Sequence, residues 1–202
     1  MSNQVTPTKG NLLSIKKSLK LAKLGFELMD RKKNILVKEI TTLLKKSYNI
    51  QRDIDINYRR AYSSLQTANI TLGICNELAY VVPIENSINL SHRSVMGIEI
   101  PVVSMETPKK DLKVPFGMYN SNSEMDKAYL CFKKVKKFTV QLAEVENSIY
   151  LLSIAIKKVK KRANSLKNIL IPKFENISNK ITKSLEEKER EEFVRLKILK
   201  QK

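Results

Sequence analysis

The sequence predicts a mainly α-helical protein: a long antiparallel two-helix coiled coil formed by the N- and C-terminal segments, with a small central insert containing a β-hairpin. Three observations predict it. Glycine (5) and proline (6) are few among 202 residues, tryptophan is absent and aromatics make up 6%, while charged residues reach 29%. Such a chain is poor material for a globule and good material for long helices that each bury a stripe. Two long stretches carry apolar residues at alternating steps of three and four, and between them lie four of the six prolines, Pro83, Pro101, Pro108 and Pro115.

The first segment, residues 6–82, reads as one helix. Its series Leu12, Ile15, Leu19, Ala22, Phe26, Met29, Lys33, Leu36, Ile40, Leu43, Ser47, Ile50, Ile54, Asn57, Ala61, Leu65, Ala68, Leu72 has fifteen apolar positions out of eighteen. This is the seam of a coiled coil. After Asn57 two steps of four follow each other, a stutter that locally unwinds a supercoil. Thr6 and Pro7 supply the expected start, as N-cap and first helical residue. The expected stop is near Val82-Pro83, because the residue before proline is driven to extended geometry.

The insert, residues 83–123, changes character. Its run "SVMGIEIPVVSM" is rich in β-branched residues with partial alternation and reads as a short strand pair. Ser123 and Asp126 have capping-box spacing and open the third part, residues 124–200. That helix has its own seam, Ala128, Cys131, Val135, Phe138, Leu142, Val145, Ile149, Leu152, Ile156, Val159, Ala163, Leu166, Leu170, resuming past Pro172 at Phe174, Ile177, Ile181 and Leu185. An interior proline removes one backbone bond and crowds the preceding turn, so a kink or loosened turn is expected at Pro172.

Neither helix can bury its stripe alone, so the two are expected to pair antiparallel. Placing Cys75 level with Cys131 makes paired residue numbers sum to about 206. Leu12 then faces Val194, both ends close flush, and the polar break Lys33 falls beside Pro172. Registers a heptad away remain open. In this arrangement the charged C-terminal stretch partners the first turns of the chain, helped by Glu186–Arg190 and Glu191–Arg195 at i,i+4 spacing.

The formal charge is +18. Residues 1–80 are net +8, residues 81–123 neutral and residues 124–202 net +10. A basic helical surface points to an anionic partner, either nucleic acid or an acidic protein face. No apolar run is long enough to span a bilayer and the N-terminus has no signal-peptide core, so the expected location is the cytoplasm, with reduced thiols. Nucleotide loops, metal-ligand clusters and nucleophile elbows are missing from the sequence, and no cofactor is expected. His92 reads as a surface residue, and Cys75 and Cys131 as small buried hydrophobes. The "KKVKK" runs at 133–137 and 157–161 could track phosphates, but read better as solvated faces with Val135 and Val159 turned inward.

Four stretches together resemble one family. "VTPTKGNLLSIKKSLKLAKLGFELMDRKKNILVKEI" (5–40), "MGIEIPVV" (96–103), "KKRANSLKNILIPKFENI" (160–177) and "EEKEREEFVRLKILK" (186–200) are similar to the D subunit of V-type and archaeal-type rotary ATPases. Where that family often has an Arg-rich first helix, this chain uses lysine, with Asn34 in a usually charged stretch. The resemblance implies a non-catalytic central rotor shaft that couples ATP hydrolysis or synthesis to ion transport. It implies as partners a hexamer of catalytic A and B subunits, the F subunit, and the funnel-shaped C (or d) subunit above the membrane ring. No direct nucleotide, no nucleic acid and no membrane span are implied, and the chain would be a cytoplasmic, peripheral part of a membrane-associated complex.

The same resemblance, with the register above, singles out residues. Pro7, Lys9, Lys16, Glu189, Arg190, Phe193, Arg195, Leu196 and Lys197 are expected at the tip that bears on the hexamer, with Phe193 and Leu196 closing the seam. Lys33 and Pro172 mark an irregularity that makes the shaft asymmetric. Met96, Gly97, Ile98 and Pro101 carry the insert. The alternative from composition alone is a basic coiled-coil protein that binds nucleic acid or acts as a scaffold. A self-associating cytoskeletal linker is a third reading.

Overall fold

The computed structural model describes residues 6–73, 76–82, 84, 87–105, 115–117 and 121–200. Its elements are α1 (Lys9–Leu72), the short α2 (Asn76–Val81), β1 (Ile88–Val95), β2 (Ile98–Met105), α3 (Ser123–Ser165), one π-helical turn (Leu166–Leu170) and α4 (Ile171–Lys200). The class is the expected one, mainly helical with a single two-stranded hairpin in the middle of the described residues.

Each boundary follows from local chemistry. At the start of α1 the cap is Thr8 and not Thr6. The Asn11 backbone N–H donates to Thr8 Oγ1 at 3.3 Å, and the Asn11 side-chain amide donates to the Thr6 carbonyl at 2.9 Å. Pro7 therefore stands just outside the helix, two positions from its expected place. The helix also stops earlier than expected, at Leu72. Gly73 adopts φ +76° and its N–H reaches the Asn69 carbonyl at 3.0 Å, a left-handed glycine stop that Cβ-bearing residues disfavour. Cys75 lies outside the described residues.

The hairpin registers Ile88 with Met105 and Val95 with Ile98. Its two-residue turn, Met96-Gly97, has φ of +52° and +74°. Both positive values are what a turn matching the right-handed strand twist requires, and Gly97 meets the requirement without a Cβ. Pro101 has no N–H to donate, which a two-stranded sheet tolerates because both strands are edges. The α3 helix is entered from Asn122, whose carbonyl accepts from the Met125 and Asp126 N–H groups at 2.9 and 3.2 Å, one residue before the expected Ser123 cap.

The chain forms two compact units. Unit 2, residues 36–155, has its core where Ile50 and Ile54 of α1 meet Val145 of α3, with Leu43, Tyr58, Phe138, Leu142 and Ile149 packed around them. Farther along the same pair, Ala61, Ala68 and Ala128 are buried, and Tyr62 meets Phe132 edge to face at 5.4 Å between ring centroids. Unit 1, residues 1–35 and 156–202, buries Ala22 of α1 with Val159, Ala163, Ser178 and Ile181. Ion pairs Lys9–Glu189 (2.9 Å) and Lys23–Glu175 (2.8 Å) cross it.

The expected seam positions from Leu12 to Ala68 and from Ala128 to Leu185 are buried or half-buried, the stutter included, while Leu72, the last position expected in the first seam, is exposed at the end of α1. The Lys133, Lys134, Lys136 and Lys137 cluster flanks a buried Val135, and Lys157 to Lys161 flank a buried Val159, as the solvated-face reading requires. His92 is exposed on β1. The register differs from expectation. Both crossing ion pairs join residues whose numbers sum to 198, Tyr62–Phe132 to 194 and the Asn122–Thr71 hydrogen bond to 193. The offset from 206 is about one heptad in unit 1 and nearly two in unit 2. Cys131 therefore stands level with Tyr62 rather than thirteen residues farther along.

Candidate interaction surfaces

One end of unit 1 is asymmetric because of this register. Lys9, the first residue of α1, meets Glu189, so α4 continues to Lys200 with no partner helix among the described residues. Phe193 is 67% exposed and Leu196 66%, and Val194, Ile198 and Leu199 are exposed beside them. Phe193 and Leu196 thus do not close a seam; they stand in the open. Arg190, Arg195 and Lys197 lie among them, also exposed. Lys16 is exposed on α1, and Pro7 is half-buried against the cap. Glu189 is engaged within the chain: its hydrogen bond to Lys9, and then its charge, hold the Lys9 ammonium above its ordinary pKa.

The expected irregularity is present in a specific form. Proline at 172 has no N–H for the carbonyl four residues back, and its ring crowds that carbonyl. The chain answers with a wider turn: the Ile171 N–H bonds the Leu166 carbonyl, five residues back. Facing this turn, α1 carries Gly25, where an added Cβ would come within 3.8 Å of Leu166 Cδ1. The Lys167 ammonium stands 5.8 Å from the centroid of the Phe26 ring. Lys33 pairs with Asp30 one turn back on its own helix, and Asn34 donates to the same carboxylate at 3.2 Å. The Lys33 hydrogen bond is the main cause of a lowered Asp30 pKa, and Lys167 adds a weaker attraction. The polar break in α1 therefore does lie near the irregularity, which is the π turn before Pro172 and not the proline itself.

Two carboxylates that sequence reasoning missed fasten the hairpin within unit 2. Glu39 of α1 accepts from Arg93 of β1 at 3.0 Å. Glu144 of α3 accepts the Val103 backbone N–H of β2 at 3.1 Å. Ser148 reaches the Pro101 carbonyl at 3.5 Å, and Ile100 is buried beneath the strand. Met96 and Gly97 at the turn are exposed, and Ile98 is half-buried.

A second missed feature is an apolar stripe on α1. Leu13, Leu21, Leu24, Leu28 and Ile35 are each between 44% and 69% exposed. At 3.6 residues per turn they fall within a sector of about 80°, on the side of α1 away from the seam. Among the described residues no three His, Cys, Asp or Glu side chains could hold a metal ion, and no helix is long and apolar enough to cross a membrane.

The sequence matches the family model described as the D subunit of ATP synthase over residues 11–201. It is 38% identical over 200 residues to the V-type ATP synthase D subunit of Thermotoga neapolitana, covering 98% of each chain. It is 32% identical to the A-type ATP synthase D subunit of Pyrococcus horikoshii, covering 98% of this chain and 94% of that one. The corresponding A-type protein of Methanopyrus kandleri is also 32% identical, over 97% of this chain and 85% of its own.

Proposed function

The chain belongs to the ATP synthase D-subunit family, and from that premise we propose that it is the central stalk of a V-type or A-type ATPase, a rotor shaft with no catalytic site of its own. ATP is made or hydrolysed in a surrounding hexamer of A and B subunits. Turning the shaft changes which hexamer interface is favoured, a population shift among conformers. The F subunit binds the shaft, and the funnel-shaped C (or d) subunit couples it to the membrane ring and to ion transport. The chain is then a peripheral, cytoplasmic part of a membrane-associated complex and binds neither nucleotide nor nucleic acid.

The observation that supports this reading best is the end of unit 1. Among the described residues, a helix pair stabilised by a continuous seam narrows to a single helix that presents Phe193, Leu196, Arg190, Arg195 and Lys197 outward. That is a surface made to be enclosed by another protein. Pro7, Lys9, Lys16 and Glu189 form the collar where the pair begins, and the Pro172 turn beside Lys33 gives the shaft unequal sides.

The test is truncation after Glu189. It removes no buried side chain among the described residues, so the truncated chain keeps its thermal stability and its binding to the F subunit, while affinity for the A–B hexamer and coupled ATPase activity fall. Unchanged hexamer affinity together with lost binding of the F subunit would reverse the polarity proposed here. Copurification with nucleic acid in place of A, B and F would overturn the proposal.

A further inference from the structure

The side of α1 away from the seam, from Leu13 to Ile35, has no task within the described chain. A solvent-facing helix side normally carries polar residues, and scattered exposed apolar residues need no explanation. Five large aliphatic side chains aligned on one sector are a different case, because aligned exposure marks a surface that something covers. The facing helix is not built this way. From Ile156 to Lys183 the exposed positions are almost all Lys, Arg, Asn or Ser, and Ile169 is the one large exposed apolar side chain among the described residues there. Unit 1 is therefore greasy on the α1 side and basic on the other.

The charges beside the stripe indicate what covers it. Lys17 and Arg31 lie within the sector, with Lys20 along one border, against Glu27 as the one acid. A second copy of this chain, at +18, would bring like charge to like charge. A surface with an apolar centre and carboxylates at its margin is complementary on both counts.

We propose that this stripe is a one-sided docking face for an apolar, carboxylate-rimmed surface of the hexamer, so that the shaft grips one of the three A–B pairs at a time and leaves the others against lysine. This rests on the rotor reading and adds to it which face grips. Three like surfaces around one greasy side cannot all be engaged together, and the engaged pair changes as the shaft turns.

The experiment uses the whole chain with a reconstituted A–B hexamer. The variant Leu21→Gln/Leu24→Gln/Leu28→Gln keeps good helix formers at exposed sites, so the free chain melts as the wild type does. Its hexamer affinity should drop on the order of tenfold, from lost apolar burial. A control, Lys157→Gln/Lys160→Gln/Lys161→Gln, should lose far less. Wild-type affinity in the leucine variant would overturn the inference and leave the rotor reading intact. An equal loss in the control would show that the grip is not one-sided, which also overturns it. If sedimentation finds a wild-type dimer that the leucine variant dissolves, the occupant is a second copy and the inference falls. A wild-type chain that does not bind the hexamer at all would remove the rotor reading itself.

Discussion

In residues 36–155 the hairpin lies against the helix pair, held by Glu39, Glu144 and Ser148, with Ile100 buried, and Phe116 is buried against Tyr129 of α3. In residues 1–35 and 156–202 the described elements are helix on helix alone, with a leucine stripe and an eleven-residue end left open. The two units have similar seams but different outer surfaces. Two paired helices can cover only the inward stripe of each other, so any further apolar surface needs a third element. Unit 2 supplies such an element from its own chain over part of its length, while Leu44, Tyr48, Ile56 and Ile70 stay exposed there too; unit 1 supplies none among the described residues. An apolar residue in such a protein therefore has two meanings, and the spacing separates them: steps of three and four continuous with the seam face inward, and a second register on the same helix faces a partner.

The comparison breaks most visibly at the seam. Leu152 is fully buried in unit 2, and Leu152→Ala is expected to cost about 2–5 kcal/mol in chemical denaturation. A loss below about 1 kcal/mol would mean that the seam does not hold the unit together. Glu144→Ala removes the acceptor for the Val103 N–H and should cost about 1–3 kcal/mol, with faster amide exchange confined to β2 and its neighbours. Exchange that stays slow there would show that the hairpin does not depend on this contact. The open end should behave in the opposite way: Phe193→Ala with Leu196→Ala should change the stability of the free chain by less than about 0.5 kcal/mol. A larger loss would show that this end packs within the chain.

The smallest expected effect is electrostatic. The Lys9 pKa is raised by Glu189, so the contribution of this pair is fully present below the ordinary lysine value and disappears as pH rises through the raised one. The pair is solvent-exposed, so its effect is small and screened by salt. Melting curves of the wild type and Glu189→Gln should differ slightly at neutral pH and low salt and converge at strongly alkaline pH. A difference that persists there would have another cause.

The helices and their seams were legible in the sequence because burial against one partner leaves a period of three and four, and the period survives even through Lys33, Ser47 and Asn57. The hairpin was legible from its β-branched run. The register was not. Sliding one helix by a heptad returns the same apolar pattern, so the register shows only in particular contacts between distant residues, such as Lys9 with Glu189, Lys23 with Glu175 and Tyr62 against Phe132. The alignment of Cys75 with Cys131 and the flush ends rested on no such contact. The open tip was hidden by the same error, since a register one heptad away supplies Phe193 with a partner that it lacks among the described residues. The carboxylates holding the hairpin were illegible for a simpler reason, since each is a single residue acting on backbone or on a charge far away in sequence.

The π turn at Leu166–Leu170 has a consequence for the numbering of the chain itself. Such a turn is a one-residue insertion that a helix has absorbed in place. The seam around it steps by four twice, from Leu166 to Leu170 to Phe174, and still faces α1 on both sides. Elsewhere in α4, deleting one residue would rotate everything beyond it by about 100° and turn the seam outward. Within 166–170, removing one residue takes out the surplus and leaves the flanking faces in phase. A chain shortened by one residue there should keep its seam and lose only what an α-turn before Pro172 costs, whereas the same deletion ten residues later should turn the seam outward.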